Sequence, residues 1–385
     1  MLMGASEKSV VVWRSSLLLG SETFIRNQGA ALTGWQPTFV GATKVESPIA
    51  EESDVIAFPD TAAGQRELLR LKATGRSRRL RSLLAATRPA LIHAHFGGDG
   101  WLISATAADL GIPLIITVHG YDVTRLPAQS GLRGIRYQHN LRKAFARASL
   151  VIAVSEFIRD KAVALGAPAE KVHVHHTGVP MPPADEPGPK NWDVLFVGRF
   201  VEKKGVDDLI EAVGALPGLR PRVLLIGTGP GEQHLRARAA ELGVDATFAG
   251  AQDPAVVRRR MSESRIFVSP SKTAADGDSE GLPTTLLEAA SLGLPAVSTW
   301  HSGIPEAVQH GQTGLLCAEG DRHALAGNIR RLLTEDALRL ELGHRARSHV
   351  RAHFDLARQT AALEDLYDQV AAARYGAAGS ARHGG

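Results

Sequence analysis

Residues Ser279-Glu280-Gly281-Leu282-Pro283-Thr284-Thr285-Leu286-Leu287-Glu288-Ala289-Ala290-Ser291-Leu292-Gly293-Leu294-Pro295 read as a helix that receives a phosphate. Pro283 suits the first helical position, where its missing N–H would have had no partner, and Gly293 suits the residue just past the helix end. Between them Leu286, Leu287, Ala290 and Leu292 can face a core. Gly281 lets the backbone come close to a ligand in front of the helix, whose free N–H groups and partial positive charge favour an anion. Glu280 then stands at the helix mouth, and Glu288 lies about one and a half turns in. A carboxylate near a helix N-terminus is also an ordinary stabilising feature, so geometry alone leaves both readings open.

Outward from this stretch, short apolar, β-branched runs alternate with longer amphipathic ones, the pattern of a parallel sheet with helices on both faces. Around it the expected strands are 193–197, 222–226, 246–250, 266–269, 296–299 and 314–317, with helices at 205–216, 231–242 and 254–264. Helices at 323–333, 336–354 and 356–374 follow. Upstream, strands are expected at 9–13, 37–40, 54–58, 91–95, 113–118, 150–154 and 172–176, and helices at 22–32, 65–86, 100–110 and 134–147. Between the two series Pro180, Pro182, Pro183, Pro187 and Pro189 crowd together with Asp185 and Glu186, a linker composition. The expected fold class is therefore α/β, with two doubly wound Rossmann-like domains at 1–182 and 193–354 joined by a linker at 183–192. A C-terminal helix at 355–375, free to pack back on the first domain, and a disordered tail at 376–385 complete the chain. Open parallel sheets bind ligands beyond the carboxyl ends of their strands, so substrates are expected in a cleft between the domains.

Composition supports this outline. At 385 residues the chain exceeds the size at which single cores stop growing, and 44% hydrophobic with 22% charged residues is a soluble globular balance. The single cysteine, Cys317, excludes an intrachain disulfide and a multi-cysteine zinc site, as a reducing compartment would produce. The most apolar runs are far shorter than the ~18 residues of a membrane span. No signal peptide is evident, since Glu7 and Lys8 precede only a short apolar run that Arg14 interrupts, and the expected location is cytoplasmic. The net charge of +4 is uneven: Arg66, Arg70, Lys72, Arg76, Arg78, Arg79, Arg81 and Arg88 face only Glu67. Such a run is a solvated helical face or an anionic-lipid contact. Nucleic acid is not supported, because the run holds no aromatic residue for base stacking.

The opening stretch belongs to an ordered set of segments. They are Ser21-Glu22-Thr23-Phe24-Ile25, Ile92-His93-Ala94-His95-Phe96-Gly97 and Thr117-Val118-His119-Gly120-Tyr121-Asp122, then Phe196-Val197-Gly198-Arg199 with Lys203-Lys204-Gly205. Asp278 to Pro283 running on to Glu288, and His301-Ser302-Gly303-Ile304-Pro305-Glu306, close the series. In order and spacing, over nearly all of the chain, this set resembles the retaining, nucleotide-sugar-dependent glycosyltransferases of family 4, which have the GT-B fold. The wording is similar to the branch that builds bacterial exopolysaccharides such as colanic acid.

The resemblance implies a hexosyltransferase acting on a UDP- or GDP-sugar donor, with a saccharide or lipid-linked saccharide as acceptor and no metal or other cofactor. Glu288 matches the residue that binds the ribose hydroxyls, and a carboxylate can accept two hydroxyl hydrogen bonds at once. Glu280 matches the residue on the donor sugar, with the backbone N–H groups of Gly281, Leu282 and Thr284 available to the diphosphate. Arg199 and Lys204 match a cationic pair on the diphosphate; fixed cations stabilise charge growing on the leaving phosphate more than the ground state. His119 matches a first-domain histidine beside the reacting sugar, implied to steady an oxocarbenium-like transition state. Gly20 lies in the loop whose backbone the family brings near phosphates and acceptor, although this chain lacks the commoner double glycine.

Other signals carry less. Asp276-Gly277-Asp278 looks like a metal signature of a different fold, but Ser271 to Ala275 separate it from the strand. His93 with His95, and His173 with His175 and His176, would need zinc ligands that the sequence does not nominate. Gly227-Thr228-Gly229-Pro230-Gly231 lacks dinucleotide spacing and reads as a tight turn. Two rival functions remain: an epimerase or hydrolase of nucleotide sugars on the same fold, and a non-catalytic partner subunit. Association with an anionic membrane at the inner face is a further expectation, from the basic run.

Overall fold

The strand β1 (Ser9–Leu17) opens Ser-Val-Val-Val-Trp, and its valines and Trp13 are buried, as befits a central strand covered on both faces. In this computed structural model, which describes residues 8–183, 189–216 and 218–380, the chain then continues as α1 (Thr23–Ala30), β2 (Gln36–Lys44), β3 (Val55–Ile56), α2 (Ala62–Thr74) and α3 (Arg78–Thr87). Next come β4 (Leu91–His95), α4 (Gly97–Asp109), β5 (Leu114–Val118), α5 (Arg125–Ala128), α6 (Leu132–Arg147), β6 (Leu150–Ala153), α7 (Glu156–Ala164) and β7 (Val172–Val174). These strands form one seven-stranded parallel sheet in the order β3-β2-β1-β4-β5-β6-β7.

The second series is β8 (Trp192–Val197), α8 (Val206–Gly214), β9 (Val223–Ile226), α9 (Glu232–Glu241), β10 (Ala246–Phe248), α10 (Pro254–Ser262) and β11 (Ser264–Ser269). It ends with α11 (Thr284–Ser291), β12 (Ala296–Thr299), α12 (Ile304–Ala307), β13 (Gly314–Cys317), α13 (Arg322–Thr334) and α14 (Asp336–His353). Its six-stranded parallel sheet has the order β10-β9-β8-β11-β12-β13, around a core that includes Val194, Phe196, Leu225, Val268, Val297 and Leu315. Both sheets are doubly wound, and each reverses its winding once, between β1 and β4 and between β8 and β11. Such switch points are where open sheets bind ligands, at the carboxyl ends of the strands.

The chain divides into two compact units: residues up to Gly178 together with those from Leu356 onward, and Val179–Asp355. The division thus falls between Gly178 and Val179 rather than at 182. Backbone hydrogen bonding explains this, because Val179 N–H donates to Phe354 O at 2.8 Å and Arg347 Nη2 reaches Pro182 O at 2.8 Å. Part of the expected linker, residues 184–188, lies outside the described residues. The last helix, α15 (Leu356–Ser380), packs within the first unit: Leu363 and Tyr367 are buried beside Val10, Trp35 and Leu91, and Lys8 pairs with Asp368 at 2.7 Å. It runs past the expected end at 374 to Ser380, so a disordered tail from 376 is corrected there; residues 381–385 lie outside the described residues.

Two further expectations are corrected. The single helix at 65–86 is two helices, broken where Gly75 takes φ 70° and Ser77 Oγ accepts from Leu80 N at 3.3 Å to start α3. Pro283 is not the first helical residue; at φ −67° and ψ 105° it caps α11, and its carbonyl accepts from Leu286 N at 3.1 Å. Gly293 does stand just past the helix end, at φ 73°.

Candidate functional site

In the second unit the loops after β8 and β9 are stitched together by backbone. Gly198 N donates to Ile226 O at 2.9 Å and Phe200 N to Thr228 O at 2.9 Å. Gly227 has φ 141°, and a Cβ there would fall 1.9 Å from Gly198 O, so the glycine turn is what allows this approach. Arg199 rides exposed on the same loop. Further along, Gly205 at φ 63° brings the backbone so close to the loop after β11 that a Cβ would lie 1.9 Å from Pro270 O. Both loops border the β8/β11 switch point.

Lys203 and Lys204 close a 3₁₀ turn at Glu202–Lys204 and part company. Lys203 Nζ binds Asp278 Oδ1 at 3.0 Å and Ser279 O at 3.3 Å. Lys204 Nζ stands 3.1 Å from Glu280 Oε1. Glu280 is 7% exposed. Burial alone would raise its carboxyl, but Lys204 first, then Lys203, outweigh this and hold it below the ordinary value. The Lys204 ammonium thus lies within ion-pair distance of Oε1.

Gly281 and Leu282 are buried in the loop leading to α11, and Gly281 O accepts from Gly303 N at 3.2 Å. Glu288 lies partly buried on α11, and burial pushes its carboxyl up to about 7 against the pull of Arg258 on α10. Asp276 Oδ1 accepts from Asp278 N at 3.1 Å and Asp278 is held by Lys203, so this pair of acids braces the loop before Glu280.

In the first unit the carboxyl ends of β4 and β5 carry stacked imidazoles. His93 and His95 lie 4.4 Å apart and His95 and His119 5.4 Å apart, with His95 Nδ1 3.1 Å from His119 Nε2. His93 is fixed by Tyr367 OH and Thr117 Oγ1, each at 2.6 Å. Phe24 and Phe96 pack on His119 at 5.0 and 4.5 Å. Burial first, then Arg14 and His93, drive the His119 imidazole down to about 3. Asp122 fixes the loop that follows, accepting from Gly97, His119 and Gly120 N–H groups at 2.7, 3.0 and 3.0 Å.

A buried cluster beneath this site escaped the sequence reading. Arg14 pairs with both Glu22 and Asp99, while Leu19 N donates to Glu22 Oε2 at 3.2 Å and Ser15 N to Asp99 Oδ2 at 2.8 Å. These bonds pin the loop that carries Gly20. Gly20 itself is exposed, with an ordinary backbone and room for a Cβ 3.4 Å from Pro48, so the chain's own packing does not require glycine there. Among the described residues no group of three or more His, Cys, Asp or Glu is arranged to hold a metal ion. His175 is instead a buried ring pushed down to about 4 by burial, His176 and His173.

A fold of two units, each a doubly wound parallel sheet, is that of the GT-B glycosyltransferases. Residues 20–181 match the family model described as Glycosyltransferase Family 4, and residues 183–349 that of Glycosyl transferases group 1. This chain belongs to the family 4 glycosyltransferases. In fold it is similar to HepE of Anabaena, solved in complex with UDP, at a TM-score of 0.75 and 20% identity over 94% of this chain and 100% of that one. The sucrose-phosphate synthase of Thermosynechococcus elongatus aligns at TM-score 0.76 and 21% identity over 95% of this chain and 100% of that one. By sequence it is similar to the amylovoran biosynthesis glycosyltransferase AmsK of Erwinia amylovora, 34% identical over 63% of this chain and 60% of the relative. It is likewise 32% identical to WcaL of Escherichia coli, a putative colanic acid biosynthesis glycosyltransferase, over 61% of this chain and 59% of the relative. The chain thus spans about three fifths of the length of these curated relatives.

Proposed function

We propose that this protein is a retaining, metal-independent glycosyltransferase of bacterial polysaccharide assembly, moving a hexose from a UDP- or GDP-sugar to a saccharide acceptor that is lipid-linked. The observation that carries this reading is the buried Lys204–Glu280 pair, 3.1 Å apart, in front of α11 with Glu288 on that helix. In this reading the Glu280 carboxylate accepts from donor sugar hydroxyls and Glu288 from the ribose. As the bond from sugar to phosphate breaks, charge grows on the leaving diphosphate, where Arg199, Lys204 and the α11 N-terminus stabilise it. His119 is neutral and hydrogen-bonds the sugar as positive charge develops on its ring. It acts by orientation rather than as a nucleophile.

The test is a thermal-shift panel of UDP- and GDP-sugars, followed by turnover with Glu280→Ala and Lys204→Ala. Stabilisation by one donor, with turnover abolished in both folded variants, is expected; wild-type-like turnover in both would refute the site. Release of free or epimerised sugar without acceptor would instead indicate a hydrolase or epimerase. The anomeric configuration of the product tests retention.

For the acceptor side, the reading includes an anionic membrane surface. Arg70 and Arg78, on α2 and α3, and Arg133 on α6 are exposed, and Arg136 of α6 donates to Lys72 O and Ala73 O at 3.1 Å each, tying α6 to the end of α2. The same helices expose Leu69 at 65%, Leu132 at 84% and Ile135 at 66%. Aliphatic tips among cations suit a lipid headgroup boundary, where each basic residue contributes about 1 kcal/mol. No helix among the described residues is long and apolar enough to cross a membrane. Flotation with phosphatidylglycerol vesicles, but not with pure phosphatidylcholine, is expected; flotation unchanged by Arg70→Glu, Arg78→Glu, Arg133→Glu and Leu132→Ser combined would refute the surface.

A further inference from the structure

The loop after β12 grips the backbone of Glu280 from both sides. His301 is 1% exposed, and its Nε2 lies 3.1 Å from the Glu280 N–H that donates to it. A neutral imidazole nitrogen that accepts carries no proton, so the ring's proton sits on Nδ1. Nδ1 in turn lies 2.6 Å from Glu319 Oε1, an acceptor suited to that tautomer. A ring protonated at both nitrogens would set Nε2–H against the Glu280 N–H. The other oxygen, Glu319 Oε2, accepts from Thr273 N at 2.7 Å and so ties the ring to the loop after β11.

The next two residues complete the grip. Ser302 Oγ donates to the Glu280 carbonyl, and Gly303 N donates to Gly281 O at 3.2 Å. Ser302 does this at φ 52°, a left-handed conformation that a serine adopts at a cost. Such strain persists where surrounding bonds over-determine the backbone, and it concentrates where a functional group must be held.

We propose that His301, kept as its Nδ1–H tautomer by Glu319, is a positioning residue that fixes the Glu280 backbone so that its carboxylate stays beside Lys204 and meets the donor sugar. The proposal rests on the reading of Glu280 as the sugar-binding carboxylate. It makes His301 act through Glu280 and gives it no contact with nucleotide or sugar. Its signature is selective: losing the grip weakens the extra affinity that the sugar adds over the bare nucleoside diphosphate, whereas general damage to the unit weakens both ligands together.

The experiment measures, by titration calorimetry on the full chain, the affinity of the nucleotide sugar giving the largest thermal shift and of its bare nucleoside diphosphate. The variants are Glu280→Gln, His301→Leu, His301→Gln and Glu319→Leu. His301→Leu is expected to cut the sugar's contribution by about tenfold or more, a change on the scale of one buried hydrogen bond, with the diphosphate affinity within about twofold of wild type. His301→Gln, whose amide oxygen can still accept from the Glu280 N–H, is expected to restore most of it, and Glu319→Leu to move in the direction of His301→Leu. Loss of the sugar contribution in Glu280→Gln with none in His301→Leu overturns the proposal. No loss in Glu280→Gln overturns the underlying site reading instead. Should leucine at this buried position prevent folding, His301→Asn, too short to reach the Glu280 N–H, reads the same quantity with the same two outcomes.

Discussion

Glu288 offers a perturbation whose size follows from its surroundings. Burial lifts its carboxyl from 4.5 to about 7, more than Arg258 can offset. The folded form therefore holds its proton more tightly than the unfolded chain. Its contribution to stability is full below the ordinary carboxyl range and is lost as pH rises through about 7, at most about 3 kcal/mol. In the proposed role Glu288 accepts from the ribose hydroxyls as an ionised carboxylate, so donor binding would draw the proton off. Between pH 8 and pH 5.5 the ionised fraction falls from about nine tenths to about one thirtieth, and donor affinity should fall about 30-fold with it. A nucleotide sugar suits the measurement because its diphosphate is esterified at both ends and has no ionisation in this range. Calorimetry in two buffers of different ionisation enthalpy should detect about half a proton released per donor at pH 7. Glu288→Gln should bind weakly and show neither the slope nor the proton. A donor affinity constant across this range, or a slope that survives in Glu288→Gln, would refute the reasoning.

Three other outcomes follow from the geometry. Because the His119 ring is pushed down to about 3, His119→Ala should lower kcat by about a hundredfold or more without altering the shape of the rate profile between pH 5.5 and 8; an acidic limb that vanishes in the variant would show a titrating ring. Gly205→Ala would place a Cβ 1.9 Å from Pro270 O at a left-handed φ, and calorimetric melting should show destabilisation of about 2 kcal/mol or more, which an unchanged Tm would contradict. Arg14→Met would strand Glu22 and Asp99 as unpaired buried charges, a loss of about 3 to 5 kcal/mol in urea unfolding of the first unit's signal; recovery by Glu22→Gln with Asp99→Asn separates charge from packing.

Much of the fold was legible because strands such as β1 and β5 carry short apolar, β-branched runs, at 10–13 and 114–118, too short for a helix. The break between α2 and α3 was not, since arginines and leucines recur on both sides of it and only Gly75 and the Ser77 cap mark the change. The site divides in the same way. Glu280, Glu288 and Lys204 could be named because each sits in a contiguous motif. The Arg14 cluster and the contact of His95 with His119 could not, because they depend on how β1, β4 and β5 align: His95 pairs with Thr117 in the ladder, which brings His119, just past the end of β5, beside it. Register is fixed by the packing of whole strands and leaves no local mark.

Lys203 and Lys204 show what such contiguous motifs do and do not specify. A 3₁₀ turn has about three residues per turn, so neighbours point roughly 120° apart and two adjacent lysines cannot serve one acid. One must turn inward to Asp278 and brace the loop, and the other must reach Glu280. The sequence shows two cations before a glycine; Gly205, left-handed and pressed against Pro270, ends the turn that carries them. The Lys203–Asp278 and Lys204–Glu280 contacts are thereby coupled through one peptide. A change at Asp278, which touches no reacting atom in the proposed mechanism, would loosen the brace two residues before Glu280 and so act on the same carboxylate as a change at Lys204.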